Sequence, residues 1–269
     1  MEAKNIKDIV REKYSRIAKK SNDPSNREGC CGITDCCSES DYTVFSESYE
    51  KLEGYNADAD LGLGCGIPTD FADIKPGDHV VDLGSGAGND CFVARSLVGE
   101  TGRVTGLDFS DDMLSKANEN VKKLGYANID FVKGDIDQMP FAEGQFDVIV
   151  SNCVLNLVPD KVKAFAEMFR VLRPGGHFCV SDIVVEGEMS EKLRVNAEMY
   201  AGCVSGALQY NDYLDVVSRT GFKKVQVHKK RRLAIPDHIL GLNLDEAEIN
   251  QFKTGIIGLF SITVSAVKL

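Results

Sequence analysis

Residues 80–88 read Val-Val-Asp-Leu-Gly-Ser-Gly-Ala-Gly, a short apolar run that passes directly into glycines at alternating positions. The run predicts a buried strand over residues 79–83. Because Gly84, Gly86 and Gly88 have no Cβ, the backbone after this strand can turn sharply and approach a ligand closely. A helix predicted from Asn89 would point its free N–H groups at the same ligand. This strand–loop–helix unit predicts an α/β fold with a ligand site at the end of its first strand.

The rest of the chain extends this pattern in both directions. Helical spacing predicts an amphipathic helix over residues 3–19, and a short helix is expected at 45–52. Further strands are predicted at 103–108, 129–133, 146–151, 177–182, 222–228 and 257–267, and further helices at 89–97, 111–124, 160–171, 190–208 and 210–220. This alternation predicts a doubly wound, mostly parallel sheet with helices on both faces, followed by an antiparallel strand in the last third of the chain.

Composition limits the possible partners. The chain has 269 residues, a formal net charge of −10 and a pI near 5.0, which disfavours nucleic acid because phosphate binding needs a basic surface. No apolar stretch reaches the length of a membrane span, and the charged N-terminus lacks a secretory signal. A cytoplasmic location with reduced thiols is therefore predicted. Nine cysteines are many for such a compartment, which favours metal, metalloid or redox chemistry.

The acidic residues near the glycine loop predict which ligand it binds. A dinucleotide fingerprint would need glycine at position 89, where this chain has Asn89, and the carboxylate of Asp82 suits a cation better than a pyrophosphate. Asp108 ends the second predicted strand, where a carboxylate accepts hydrogen bonds from ribose hydroxyls. Asp135 follows the third strand and would accept from an adenine amino group, with Ile136 packed on the ring. These features predict S-adenosylmethionine, bound by Asp82, Gly84, Ser85, Gly86, Gly88, Asp108, Phe109, Met113, Gly134, Asp135, Ile136 and Asn152.

Three cysteines stand apart by position. Cys65 lies in a glycine-rich segment before the first strand, and Cys153 follows the fourth strand, at the edge where doubly wound sheets bind ligands. Cys203 lies on the helix predicted after the fifth strand, among small neighbours. Cys91 and Cys179, in contrast, are interpreted as small buried apolar residues.

Four more cysteines form two vicinal pairs in a loop near the N-terminus, Cys30, Cys31, Cys36 and Cys37. Zinc binding is the alternative for this loop, but it contains no CxxC spacing and no histidine. An arm whose thiols capture a soft ligand, or supply electrons by forming a disulfide, fits this pattern better.

The chain resembles the arsenite methyltransferase family over nearly its whole length. The segments that carry the resemblance are residues 61–66 (LGLGCG), 82–91 (DLGSGAGNDC), 151–160 (SNCVLNLVPD) and 200–207 (YAGCVSGA). The resemblance implies a Rossmann-like class I methyltransferase fold and As(III) bound by Cys65, Cys153 and Cys203. It also implies a fourth thiol at Cys30 or Cys31, with Cys36 or Cys37 as alternatives. The implied partners are arsenite or its thiol conjugates, and a reductant such as thioredoxin or a small thiol.

The expected organisation has three parts. Residues 1–66 form a helix and a Cys-rich arm that caps the site, 67–185 bind S-adenosylmethionine, and 186–269 form a small α+β part that binds substrate. Two alternatives remain at this point. One is methylation of a small organic molecule such as a quinone or sterol precursor. The other is a non-catalytic protein that binds a metalloid or zinc through its thiolates.

Overall fold

The computed structural model describes residues 3–20, 46–188, 206–234 and 245–269. The predictions for Cys30, Cys31, Cys36, Cys37 and Cys203, and for most of the helix expected at 190–208, lie outside the described residues. Among the described helices, none is long and apolar enough to cross a bilayer.

The strands of the described residues form one sheet. Their bounds are β1 (His79–Leu83), β2 (Arg103–Asp108), β3 (Ile129–Lys133), β4 (Phe146–Asn152), β5 (Leu172–Glu186), β6 (Lys223–Arg232) and β7 (Gly258–Val267). The strand order is β3-β2-β1-β4-β5-β7-β6. β1 to β5 run parallel to one another, whereas β7 lies antiparallel between β5 and β6. Their carboxyl ends therefore meet at one edge of the sheet, which we call the carboxyl edge.

Helices cover both faces of this sheet. Their bounds are α1 (Ala3–Lys20), α2 (Asn89–Val98), α3 (Asp111–Leu124), α4 (Lys161–Val171), α5 (Tyr210–Arg219) and α6 (Glu246–Thr254). Alternate residues of β1 enter opposite cores, since Val81 packs in the cluster that contains Phe165 and Val80 in the cluster that contains Phe92. Both faces of the strand are thus buried, which explains its uninterrupted apolar sequence.

Local signals in the sequence set the helix ends. The Ser110 side chain accepts from the Met113 N–H at the start of α3, and Asp160 accepts from Lys163 at the start of α4. Each cap satisfies an N–H group that has no partner within the helix. Gly125 then ends α3 in the left-handed conformation that glycine adopts without strain.

The structure confirms the doubly wound, mostly parallel sheet, its helices on both faces and the antiparallel strand near the C-terminus. The strand expected at 177–182 extends to Glu186, because β7 pairs with it residue by residue from His177 onwards. The short helix expected at 45–52 is wrong: residues 50–54 form turns, and Tyr49 points into the protein interior. β6 and β7 join the same sheet as β1 to β5. The expected division of the chain into three parts, at residues 66 and 185, stays a prediction.

Replacing Phe178 by alanine should test the larger core. Its ring is fully buried, with centroids 5.8 Å from Phe165 and 4.7 Å from Phe222. We expect Phe178→Ala to lower the free energy of unfolding in urea by about 3–5 kcal/mol, because a cavity replaces the ring. The control Val162→Ala removes a side chain that is 60 % exposed on α4, and its cost should stay below about 0.5 kcal/mol. Equal costs for the two variants would contradict this packing.

Candidate active site

Two adjoining cavities open at the carboxyl edge, above β1, β2 and β4. The first encloses about 480 Å³ and the second about 810 Å³. Both are lined by Gly84, Asp108, Phe109, Val154 and Leu157, so they form one continuous trough. This is the position at which doubly wound sheets bind their ligands.

The glycine loop forms the floor between the cavities. Gly84 has φ +70°, and a Cβ there would lie 2.5 Å from the Val154 side chain, so only glycine fits. The Gly84 N–H donates to the Leu107 carbonyl at 2.7 Å, and the Gly86 N–H donates to Asp108 Oδ2 at 2.9 Å. The loop is therefore held against the end of β2. α2 begins directly after Gly88 without a side-chain cap, which leaves N–H groups of its first turn available to a ligand.

Three buried carboxylates surround this loop. Burial, reinforced by the nearby Asp90 carboxylate, raises the pKa of Asp82 well above its usual value, and burial raises the pKa of Asp90 to about 6. Burial also raises the pKa of Asp108, although backbone N–H groups of Ser110 and Gly86 act against it. The main influences on these three pKa values are burial, other carboxylates and hydrogen-bond donors. Such a group of acids favours binding of a cation.

Cys91 contributes to this acidic group. Its thiol donates to Asp82 Oδ2 at 3.3 Å, and both side chains are buried. The expectation that Cys91 is a buried apolar residue thus describes its burial but misses its hydrogen bond. Asp90 was missed by sequence reasoning, although its place in the first turn after the glycine loop was a usable signal.

Helix α1 forms one wall of the first cavity. Lys7 Nζ lies 3.2 Å from Asp135 Oδ1 and 3.1 Å from Asp137 Oδ2, and Val10 also lines the cavity. Gly134 and Ile136 line it from the loop after β3. Lys7 was missed because nothing local in the sequence indicates a pairing with so distant an aspartate.

The second cavity reaches Cys153, and Cys65 is buried in the same apolar cluster without lining either cavity. Cys65 is 0 % exposed and Cys153 is 5 % exposed, and they share an apolar cluster with Ile183, Val185 and Leu259. Cys153 also lines the cavity. Its φ of +61° is unusual for a residue with a side chain, and such strain, which costs about 1–3 kcal/mol, concentrates at functional sites.

Tyr213 and Asp182 lie behind these thiols. The Tyr213 hydroxyl donates to Asp182 Oδ2 at 2.7 Å, and burial raises the pKa of Asp182 to about 7. Burial and then Asp182 raise the pKa of Tyr213 well above its usual value, and Cys65 and Cys153 both add to that rise. Both thiols therefore lie close enough to this hydroxyl to influence its pKa.

Asn152 connects the thiols to the rest of the site. Its Oδ1 accepts from the Cys65 N–H at 3.0 Å, while its Nδ2 donates to the Tyr49 hydroxyl at 2.7 Å and to the Gly66 carbonyl at 2.8 Å. A backbone N–H can only donate, so the contact with Cys65 fixes which amide atom is the oxygen. The described contacts of this amide are thus with protein groups, although the residue also lines the second cavity.

The structure brings most of the predicted site residues together. Those that line the trough are Gly84, Ser85, Gly86, Asp108, Phe109, Gly134, Asp135, Ile136, Asn152 and Cys153. Asp82 and Met113 are buried beneath the loop, and Gly88 caps α2. The third predicted arsenic ligand, Cys203, lies outside the described residues.

Comparison with known proteins places this site in a family. A model described as a methyltransferase domain matches residues 74–233. An arsenite methyltransferase of Halobacterium salinarum is 41 % identical over 83 % of this chain and 59 % of its own length. One from Mus musculus is 31 % identical over 82 % of this chain and 59 % of its own. This chain thus spans about six-tenths of the length of these relatives.

A crystal structure of another protein also resembles this chain. An arsenic(III) S-adenosylmethionine methyltransferase from Chlamydomonas reinhardtii is 34 % identical to this chain, with a TM-score of 0.65 over 77 % of this chain and 68 % of that one. Its fold and the matched domain confirm the Rossmann-like class I methyltransferase fold predicted from the sequence. Taken with the strand order and the site at the carboxyl edge, these similarities show that the chain belongs to the arsenite methyltransferase family.

Proposed function

We propose that this protein transfers methyl groups from S-adenosylmethionine to trivalent arsenic held by the thiolates of Cys65, Cys153 and Cys203. One observation carries the proposal: Cys65 and Cys153, far apart in the chain, share one buried cluster beside the trough that the glycine loop lines. As(III) is a soft, thiophilic centre, and thiolates are its natural ligands.

The residues present fit the proposed methyl donor. The three buried carboxylates suit its positively charged amino and sulfonium groups. We assign Asp108 to the ribose and Asp135 and Ile136 to the adenine, and the fact that all three line the trough supports this assignment. Gly84 and Gly86 line the second cavity, and neither has a side chain that would separate its backbone from a ligand. When bound, S-adenosylmethionine supplies an electrophilic methyl group on its sulfonium.

The chemistry needs little more than binding and alignment from the protein. Three sulfur ligands leave the arsenic lone pair available as the nucleophile, so no general base has to act on it. Methyl transfer is an in-line displacement, and its rate depends chiefly on how well donor and acceptor are positioned. The apolar cluster around Cys65 and Cys153 excludes water from this region.

Further parts of the proposal concern supply and location. Arsenite, or its conjugate with a small thiol, is the proposed substrate, and thioredoxin or a small thiol is the proposed reductant. The cytoplasm is the proposed location, because the ligand thiols must be kept reduced. Methylation of a small organic molecule would leave Cys65 and Cys153 without a role, and a protein that only binds metalloids would not need the carboxylates around the glycine loop.

Serine substitutions should separate these possibilities. We expect Cys65→Ser, Cys153→Ser and Cys203→Ser each to lower the formation of methylated arsenicals by at least about 100-fold, because a hydroxyl is a poor ligand for a soft centre. Binding of S-adenosylhomocysteine, measured by calorimetry, should stay unchanged. The products are measured by chromatography coupled to elemental mass spectrometry.

The matched control is Cys179→Ser, which makes the same change at a buried cysteine in the other core cluster. It should retain methylation even if it unfolds at a lower temperature. Full activity in Cys153→Ser or Cys203→Ser would reject the proposed arsenic ligands, and turnover of a quinone with no arsenic product would favour the organic substrate.

Asp108→Asn should weaken cofactor binding. The amide keeps one acceptor oxygen but loses the charge, so we expect the dissociation constant of S-adenosylhomocysteine to rise about 10–100-fold, equivalent to ~1.5–3 kcal/mol for charged hydrogen bonds. Asp130→Asn is the control, because Asp130 lies on the neighbouring strand and pairs with Arg103 at the surface. Equal affinities in the two variants would contradict the role of Asp108.

Affinity for S-adenosylmethionine should fall in acid. Asp90 lines the second cavity and its pKa is about 6, so lowering the pH through 6 removes a negative charge that attracts the cation. One linked proton weakens binding by up to about tenfold per pH unit below the pKa. Calorimetry from about pH 8 to about pH 5, a range that spans the Asp90 titration, measures the dissociation constant. Asp90→Asn should bind S-adenosylmethionine more weakly, and its affinity should depend less on pH. A flat profile for the unmodified protein would contradict it.

A further inference from the structure

A buried polar network lies along the second cavity, between the glycine loop and the two thiols. The Tyr49 hydroxyl donates to Asp90 Oδ1 at 2.8 Å and lies 3.0 Å from the Gly66 carbonyl oxygen. Asn152 Nδ2 donates to that hydroxyl and also lies 3.3 Å from Asp90 Oδ2. Tyr49 is only 3 % exposed, so these contacts are shielded from water.

Each member of the network lies next to a group that the reaction needs. Asp90 is in the first turn of α2, directly after the glycine loop. Asn152 ends β4, immediately before Cys153, and its Oδ1 holds the backbone N–H of Cys65. Gly66 is the residue after Cys65. The network therefore spans the distance between the cofactor loop and both thiols.

The fit around this network is tight. A Cβ on Gly64 would lie 2.5 Å from Asn152 Nδ2, and a Cβ on Gly66 would lie 2.6 Å from Ser181 Oγ. Gly64 thus lets the segment approach Asn152 closely, and Gly66 lets it approach Ser181. Hydrogen bonds in a buried network reinforce one another, so the loss of one member loosens the others.

We propose that Tyr49, Asp90 and Asn152 are positioning residues that hold Cys65 and Cys153 in register with the cofactor loop. This inference rests on the proposed function, and it assigns to the network the alignment of arsenic with the methyl donor. None of the three has to touch the reacting atoms. Their effect is on where the sulfurs lie, to which an in-line displacement is sensitive.

Tyr49→Phe is the sharpest test, because it removes one hydroxyl and keeps the ring. We expect kcat for arsenic methylation to fall about 10–100-fold, as a displacement of up to ~1 Å can produce. The dissociation constants of S-adenosylhomocysteine and of As(III), measured by calorimetry, should change by less than about threefold, because ligand groups are retained. Tyr126→Phe makes the same change at a tyrosine that packs on Phe92 and Arg95, away from the network, and should behave like the unmodified protein.

A second measurement does not depend on activity. In the protein without ligands, amide hydrogen exchange of residues 61–66 should be faster in Tyr49→Phe than in Tyr126→Phe, because the Cys65 N–H loses a firmly held acceptor. Unchanged exchange in this segment would overturn the network, whatever the activity. An unchanged kcat would overturn the positioning role of the network. So would a loss of kcat that is accompanied by matching losses of both binding affinities and of thermal stability. Failure of the unmodified protein to methylate arsenic would instead reject the proposed function.

Discussion

The hydrogen bonds between the loop after β1 and the end of β2 determine the geometry of this site. The Leu107 carbonyl accepts from the N–H groups of both Gly84 and Ser85, and the Asp108 carboxylate accepts from Gly86. These bonds turn the chain over the edge of the sheet and aim the first turn of α2 at the trough. Because Asp90 lies in that turn, the same bonds place it beside Asn152, and through Asn152 they influence where Cys65 lies. The loop after β1 thus helps to position both the proposed cofactor site and the proposed thiol site.

Buried charge is the energetic cost of this arrangement. Asp82, Asp90 and Asp108 lie close together in the protein interior, and their raised pKa values show that each charge is disfavoured there. Hydrogen bonds from Cys91, Tyr49 and the loop backbone offset part of that cost. A positively charged ligand would offset more of this cost, because its binding would reduce the repulsion between the carboxylates.

The surroundings of the thiols follow a different principle. Cys65 and Cys153 lie among aliphatic side chains, and their segment is positioned through backbone contacts: Cys65 N–H to Asn152, and Cys153 N–H to the Ser181 carbonyl at 2.7 Å. The backbone at both cysteines is therefore held by these hydrogen bonds. This suits the proposed reaction, in which sulfur only has to bind arsenic and the arsenic lone pair carries out the attack.

The sequence by itself determined the α/β architecture, the bounds of several strands, the glycine loop and the family resemblance. These follow from local patterns: apolar runs, helix caps and glycine spacing act over a few residues, so β1, β2, β3 and α3 could be predicted with their observed ends. Asp108 was predictable for the same reason, since its function depends on ending a strand.

Only the tertiary structure decided which distant groups meet. The pairing of Lys7 with Asp135, the insertion of β7 between β5 and β6, and the contacts of Tyr49 with Asp90 and Asn152 all join segments far apart in the chain. The turn that replaces the helix expected at 45–52 has the same origin, because Tyr49 turns inward to reach Asp90 and local helix propensity gives way to that contact. Such contacts arise from packing of whole elements, which no window of sequence contains. The sequence therefore predicted the thiols and the cofactor loop, and the fold brought Cys65 and Cys153 into one cluster beside that loop.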